Sequence, residues 1–186
     1  IEEAGIHSGD SACVIPPVVL TPENQATMVD IVKRVAIRLG VIGLVNVQFA
    51  VQDGVVFVIE VNPRASRTVP YVSKARGVPL AAMATRLCLG ERISDLGDLP
   101  PLAESGTYFI KAPVFPWGRF DMTDVLLGPE MHSTGEVMGI GRSFGEAYAK
   151  ALSGAGQALP TSGGVFLSIR DQDKPILADL AGPLHS

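Results

Sequence analysis

Between residues 44 and 51 the chain alternates, with Val45, Val47, Phe49 and Val51 on one face of a strand and Asn46 and Gln48 on the other. Residues 55–59, Val-Val-Phe-Val-Ile, form an unbroken apolar run rich in the β-branched types that suit a second strand, and too short to span a membrane. That run continues into Glu60-Val61-Asn62-Pro63-Arg64. Glu60 and Asn62 therefore share a face until Pro63 removes a ladder donor and ends the pairing. Gln52-Asp53-Gly54 lies between the two strands and reads as a hairpin turn. If only Asp53-Gly54 turns, residue 52 pairs with 55, Gln48 faces Ile59, and the polar residues point to opposite sides. A three-residue loop with Gly54 in the left-handed region pairs 51 with 55, which sets Gln48 opposite Val58 and Asn46 opposite Glu60. Only that register brings Gln48, Glu60 and Asn62 together, and it is the one expected here.

The remaining pattern places helices around this ribbon. Thr21-Pro22 reads as an N-cap followed by proline at the first helical position, and Met28, Ile31, Val32, Val35 and Leu39 form the apolar stripe that would back the hairpin. Gly40 closes that helix. A second helix starts at Pro79, apolar at Leu80, Met83, Ala84, Leu87 and Cys88, and ends at Gly90. Residues 95–106 are a connector rich in glycine and proline, and residues 108–116 read as an edge strand interrupted by Pro113 and Pro116. The glycine-punctuated stretch 127–141 is a loop and strand. Ser143-Phe144-Gly145-Glu146 is a capping box opening a short helix that ends near Gly154. Glycines at 154, 156, 163 and 164 frame a joint, after which residues 165–170 form a strand and Asp173 caps a helix over 174–181. The fold class expected of this chain is α+β.

Composition narrows the function classes. The chain has 186 residues, a net charge of −4 and a hydrophobic content of 47%, which indicates a well-buried fold without the basic field that nucleic-acid binding needs. The pI is near 5.3. Cys13 and Cys88 lack metal-ligand spacing and read as buried free thiols in a reducing cytoplasm. Ile1-Glu2-Glu3 is neither an initiator methionine nor a signal peptide, so the chain reads as a piece of something longer.

Glu60 and Asn62 place a carboxylate and an amide oxygen at a strand end, with Arg64 and Arg67 just beyond. Hard oxygens beside guanidinium groups suit a magnesium ion carrying a phosphate chain. Taken alone, the same residues also fit the solvent face of an ordinary hairpin. Gly5-Ile6-His7-Ser8-Gly9-Asp10-Ser11 admits two readings likewise: a plain turn, or a loop whose backbone approaches a ligand closely. Lys74 could assist an anion, though an exposed lysine is commonly just solvated.

Val47-Gln48-Phe49-Ala50, Ile59 through Arg67 and Ser73-Lys74-Ala75 resemble the large subunit of carbamoyl-phosphate synthetase, an ATP-grasp enzyme. Gly5 through Ser11, Leu127-Gly128-Pro129-Glu130-Met131 and Ser133 through Gly139 match the same family in the same order. The resemblance implies the C-terminal lobe of an ATP-grasp fold, an antiparallel sheet flanked by helices, over residues 1–103. A trailing extension would occupy residues 104–156. Residues 157–186 would open an α/β allosteric domain resembling methylglyoxal synthase. Thr68-Val69-Pro70 after Arg67 resembles the second of the family's two synthetase halves, the one that phosphorylates carbamate with ATP in pyrimidine and arginine biosynthesis.

By the same resemblance, Gly5, Ile6, His7 and Ser8 line the nucleotide site together with Gln48 and Glu60. Gln48, Glu60 and Asn62 hold one or two magnesium or manganese ions, and a potassium ion sits near the first loop. Arg64 and Arg67 offset charge on carbamate or on the transferring phosphoryl group. The implied partners are ATP, carbamate, the rest of the large subunit and a glutaminase small subunit, in the cytoplasm, with no nucleic acid and no membrane. The opposing lobe, with its glycine-rich flap, would lie upstream. The chain departs from the family pattern at His132, where arginine or lysine is usual. An anion contact from that position would depend on pH, because imidazole titrates near neutrality. Two other classes share part of the pattern: another ATP-grasp ligase such as a biotin carboxylase or amino-acid ligase, and a non-catalytic interaction module.

Overall fold

The computed structural model describes residues 2, 4–97, 99–100, 106–119 and 126–184. Two antiparallel sheets organise them. One is a ribbon of β2 (Asn46–Gln52) and β3 (Val55–Asn62); the other has three strands, β1 (Cys13–Ile15), β4 (Tyr108–Val114) and β5 (Gly135–Gly141), in the order β1-β4-β5. Helix α1 (Pro22–Arg38) packs against the ribbon, and α2 (Thr68–Arg76) packs against α3 (Leu80–Cys88) while its Tyr71 hydroxyl reaches the Phe109 carbonyl of the other sheet at 2.7 Å. Helix α4 (Phe144–Gly154) covers the three-stranded sheet, and α5 (Leu177–Leu184) lies in the tail.

The signals around α1 are realised. The Thr21 hydroxyl accepts the Asn24 amide at 3.1 Å, with Pro22 at the first helical position. Gly40 adopts φ 59° after the last turn, and the Val41 amide reaches back to the Ala36 carbonyl at 3.0 Å. The helix backs the hairpin through Asn24, whose Nδ2 donates to the Gly54 carbonyl at 3.0 Å. At α4 the Ser143 hydroxyl accepts the Glu146 amide at 3.2 Å and the Glu146 carboxylate accepts the Arg142 amide at 2.7 Å.

The core lies between α4 and the three-stranded sheet, where Ile110, Ala112, Ala147 and Ala151 are buried with Val137, Phe144 and Tyr148 against them. This packing depends on two glycines of β5. A Cβ at Gly139 would collide with the Ala147 carbonyl oxygen, and one at Gly141 would come within 2.6 Å of the Ala147 nitrogen. The helix backbone thus rests directly on the strand.

Several expectations are corrected here. The hairpin turn has two residues, Asp53 at φ 52° and Gly54 at φ 78°, and Gln52 pairs with Val55. The three-residue loop does not form, because Asp53 tolerates the left-handed region well enough for the tighter turn. β4 is a central strand. Its one proline is accommodated because β1 pairs only with residues 109–111, so Pro113 lies past the end of that neighbour and costs no ladder bond there. Helix α2 falls in a stretch where the prolines and short polar residues gave no helix signal. Pro70 is in its first turn, where a missing amide is harmless, and Gly77 closes it at φ 64°. Residues 165–170 pair with no other strand among the described residues, and the tail helix starts at Leu177 after a 3-10 turn over Asp171–Ile176. An isolated segment has no ladder to join, whatever its β propensity.

Burial is less complete than composition indicates. Val55, Phe57, Val58 and Ile59 of β3 are all about half exposed, at 53%, 49%, 46% and 56%. Cys88, at the end of α3, is exposed, whereas Cys13 is half-buried. The domain boundary expected between residues 103 and 104 lies outside the described residues. No helix of the described residues is long and apolar enough to cross a membrane.

Candidate active site

The ribbon converges its polar residues by a route other than the turn. From Gln52 to Phe49 the ladder is regular, but Phe49 faces Val58 while Gln48 faces Glu60, so Ile59 is an extra residue on β3. This bulge shifts the register by one. Below it Gln48 opposes Glu60 and Asn46 opposes Asn62, and residues directly opposite in an antiparallel pair point to the same side. The two-residue turn alone would have sent Gln48 and Glu60 to opposite faces.

These four side chains line a cavity of about 340 Å³ together with His7, Ser8, Arg64, Ser66, Arg67, Thr68 and Lys111. Gly5 and Ile6 are outside the lining; Gly5 is exposed and Ile6 half-buried. Lys74 is exposed and opens on a neighbouring cavity with Glu136 and Tyr71. His132 is also outside the lining, its ring tilted against Trp117 at 5.7 Å, so the anion contact considered for it does not form in this cavity.

The loop of residues 5–11 is held over the cavity by buried polar bonds. Asp10 is fully buried and its carboxylate accepts the His132 amide at 2.8 Å and the Ser133 amide at 2.9 Å. Burial opposes its charge, but hydrogen bonds from the Ser133 side chain and from both amides hold the carboxyl below the ordinary carboxylate range. His7 adds two further ties. Its amide donates to the Gly128 carbonyl at 2.8 Å, and its Nδ1 accepts the Gly9 amide at 3.0 Å, which leaves Nε2–H as the ring's free donor.

A depressed carboxyl contributes stability that is complete above its unfolded pKa and is lost as pH falls through the lower folded value. Asp10→Asn is therefore expected to lower unfolding stability at pH 7 by about 2–3 kcal/mol, since one amide donor would then face another donor. The gap to the parent should shrink steadily below about pH 4. Urea unfolding at pH 7 and pH 3 measures both; a gap that does not change with pH would show that the charge has no part in holding the loop.

Among the described residues the lining brings three cations, Arg64, Arg67 and Lys111, together with one carboxylate, Glu60. A chain of net charge −4 thus presents a locally positive site. The guanidinium groups are held lightly. Arg64 donates to the neighbouring Ala65 carbonyl at 3.0 Å and Arg67 to the Met131 sulfur at 3.2 Å, and neither is ion-paired among the described residues. α2 begins at the same place: its N-cap, Arg67, makes no side-chain cap bond, so the positive end of the helix is turned to the site.

The donor set also fits a hard cation. Glu60 supplies one carboxylate, and Gln48, Asn62 and Asn46 supply amide oxygens on the same face. Among the described residues no group of three His, Cys, Asp or Glu could hold a metal by itself. One carboxylate plus amide oxygens suits magnesium that arrives with phosphate oxygens and keeps part of its water shell.

The family model described as "Carbamoyl-phosphate synthase L chain, ATP binding domain" matches residues 2–96. The chain belongs to the carbamoyl-phosphate synthase large-chain family. It is 59% identical over 174 residues to the carbamoyl phosphate synthase large chain of Rubrobacter xylanophilus, covering 94% of this chain and 16% of that protein. The large chains of Acidobacterium capsulatum, at 57% identity over 97% of this chain, and Pseudomonas putida, at 53% over 99%, are similar in extent. The chain therefore spans about one-sixth of the length of these relatives, 16% to 17%. A solved biotin carboxylase domain of a thermophilic 2-oxoglutarate carboxylase, bound to ADP, is 18% identical with a TM-score of 0.45 over 68% of this chain and 31% of its own, too remote to bear on the fold.

Within this carbamoyl-phosphate synthase segment, Asn46, Ser66, Thr68 and Lys111 complete a lining that sequence reading had not assigned to the site. Asn46 was legible, since it shares a face with Gln48 by simple alternation. Lys111 was not, because its strand lies 49 residues beyond Asn62 and only the sheet pairing brings it back. Cys13 lines the same wall as a neutral group, its thiol pushed up by burial, with Lys111 opposing part of that shift.

Proposed function

We propose that this segment forms the metal-binding wall of an ATP-grasp site in which ATP phosphorylates carbamate to carbamoyl phosphate. The observation that carries the reading is the gathering of Gln48, Glu60 and Asn62 on one face, opposite Arg64 and Arg67, around a single cavity. At about 340 Å³ it is near the lower end of small-molecule sites, large enough for phosphates and a small acid. The nucleotide's base and sugar would be held by another lobe, as the family resemblance implies.

In this reading Gln48, Glu60 and Asn62 would hold one or two magnesium ions, which would supply charge stabilisation to the phosphate chain. Arg64, Arg67 and the start of α2 bind the anion on the opposite side and keep three negatively charged groups together without mutual repulsion. An oxygen of carbamate attacks the γ-phosphorus in line, the bond to the β,γ-bridging oxygen breaks, and ADP leaves with the electron pair. Carbamate is already an anionic nucleophile, so no side chain has to take a proton. His7 and Ser8 line the nucleotide side. The tail as the opening of an allosteric domain, the glutaminase partner and the role in arginine and pyrimidine synthesis rest on the family alone.

The test is the reverse reaction in the full-length large chain containing these residues. ADP and carbamoyl phosphate should yield ATP and carbamate in a magnesium-dependent manner. Absence of ATP formation by a folded full-length chain would remove the assignment.

A further inference from the structure

Among the described residues Lys111 is the one charged group of the cavity that is withdrawn from solvent. It is 3% exposed on the central strand β4, whereas Glu60, Arg64 and Arg67 are exposed around the rim. Its partners are distant: the Ser8 carbonyl at 3.5 Å and the Glu136 carboxylate at 3.9 Å. An ammonium has three donors, and a buried cation so loosely paired carries a desolvation cost that these two contacts offset poorly. Lys111 lines the active-site cavity on one side and the smaller cavity of about 200 Å³ with Glu136 and Tyr71 on the other. It thus forms the inner wall between them.

The geometry points to Lys111 as a further substrate-binding residue, its ammonium holding an oxygen of the small anionic substrate at the deep end of the cavity. This rests on the phosphoryl-transfer reading above and assigns the two substrates to different depths. The rim, with Glu60 and the arginines, meets the terminal, transferring phosphoryl group, which enters from the open side. At the inner wall Lys111, 3% exposed, supplies the positive charge for the small anion. A buried ammonium with long contacts to protein oxygens gains most from an anionic oxygen that completes its hydrogen bonds.

The test again uses ADP and carbamoyl phosphate in the full-length large chain. Lys111→Met keeps the length of the side chain and removes its charge. The expected result is a KM for carbamoyl phosphate raised at least about tenfold, a KM for ADP within about twofold of the parent, and partial recovery of the former in Lys111→Arg. The unfolding temperature of Lys111→Met should equal or exceed that of the parent, because replacing a poorly paired buried charge by an apolar isostere is neutral or stabilising. A structural lysine would behave differently. A marked fall in unfolding temperature, an equal rise in both KM values, or an unchanged KM for carbamoyl phosphate would each overturn the proposal. A parent chain that forms no ATP would remove the phosphoryl-transfer reading itself, whereas an unaffected variant of an active parent removes Lys111 alone.

Discussion

Glu60→Gln is expected to reduce ATP formation from ADP and carbamoyl phosphate by about 10³-fold or more while leaving the fold unchanged. Among the described residues Glu60 is the single carboxylate in the lining, and the other oxygens on its face belong to the amides of Asn46, Gln48 and Asn62. Removing its charge leaves a wholly neutral donor set, which competes poorly with water for a hard dication. Stability should change by less than about 0.5 kcal/mol, because the side chain is exposed and carries no buried bond. Parallel measurement of activity and thermal unfolding separates the two effects. Near-normal activity with a normal melting curve would mean that the cation is held elsewhere.

Much of the site was legible because its residues lie in two adjacent strands. Alternation in 45–51 and the proline after Asn62 place Asn46, Gln48, Glu60 and Asn62 correctly as strand-end polar residues, and the helix signals at Thr21, Gly40, Ser143 and Glu146 are all realised. The reason for their convergence was not legible. The expected odd-numbered loop and the observed bulge at Ile59 both shift the register by one residue, so both bring Gln48 and Glu60 to the same face. Nothing in Val58-Ile59-Glu60 marks a bulge, since Ile is an ordinary strand residue and no glycine is present. The cost of the bulge is local and is settled by what the surrounding strands and helices pack against, which a single sequence does not display.

Features farther apart in the chain were harder to read. β4 looked like an edge because proline usually marks one, yet the short reach of β1 leaves Pro113 past the end of that neighbour, with only Glu136 of β5 beside it. α2 was hidden because a proline in a first turn and a proline in a loop have the same appearance in sequence. Residues 165–170 have strand composition and no partner, which shows how far propensity depends on pairing. His132 stands where the family pattern has arginine or lysine, so any anion contact from that position would depend on pH. Its amide serves Asp10 and its ring packs on Trp117, so the residue supports the loop over the site without entering it.

Arg67→Ala is expected to lower the rate of phosphoryl transfer about 10²- to 10³-fold with little change in the affinity for magnesium-ADP. Arg67 occupies the N-cap of α2 and lines the same cavity as Glu60, and among the described residues its side chain makes one hydrogen bond, a weak one to the Met131 sulfur. A guanidinium left free in this way loses little on leaving Met131 and gains two aligned donors toward an anionic oxygen. Its contribution should therefore be greatest where charge spreads over the transferring phosphoryl group, which lowers kcat more than it raises the KM for ADP. Arg67→Lys should recover only part of the rate, because a point charge on a flexible stem cannot reproduce the paired geometry. If the alanine variant instead weakens ADP binding in proportion to its loss of rate, Arg67 grips the nucleotide in the ground state, and the charge at the reacting phosphorus must be met by Arg64 and the helix terminus.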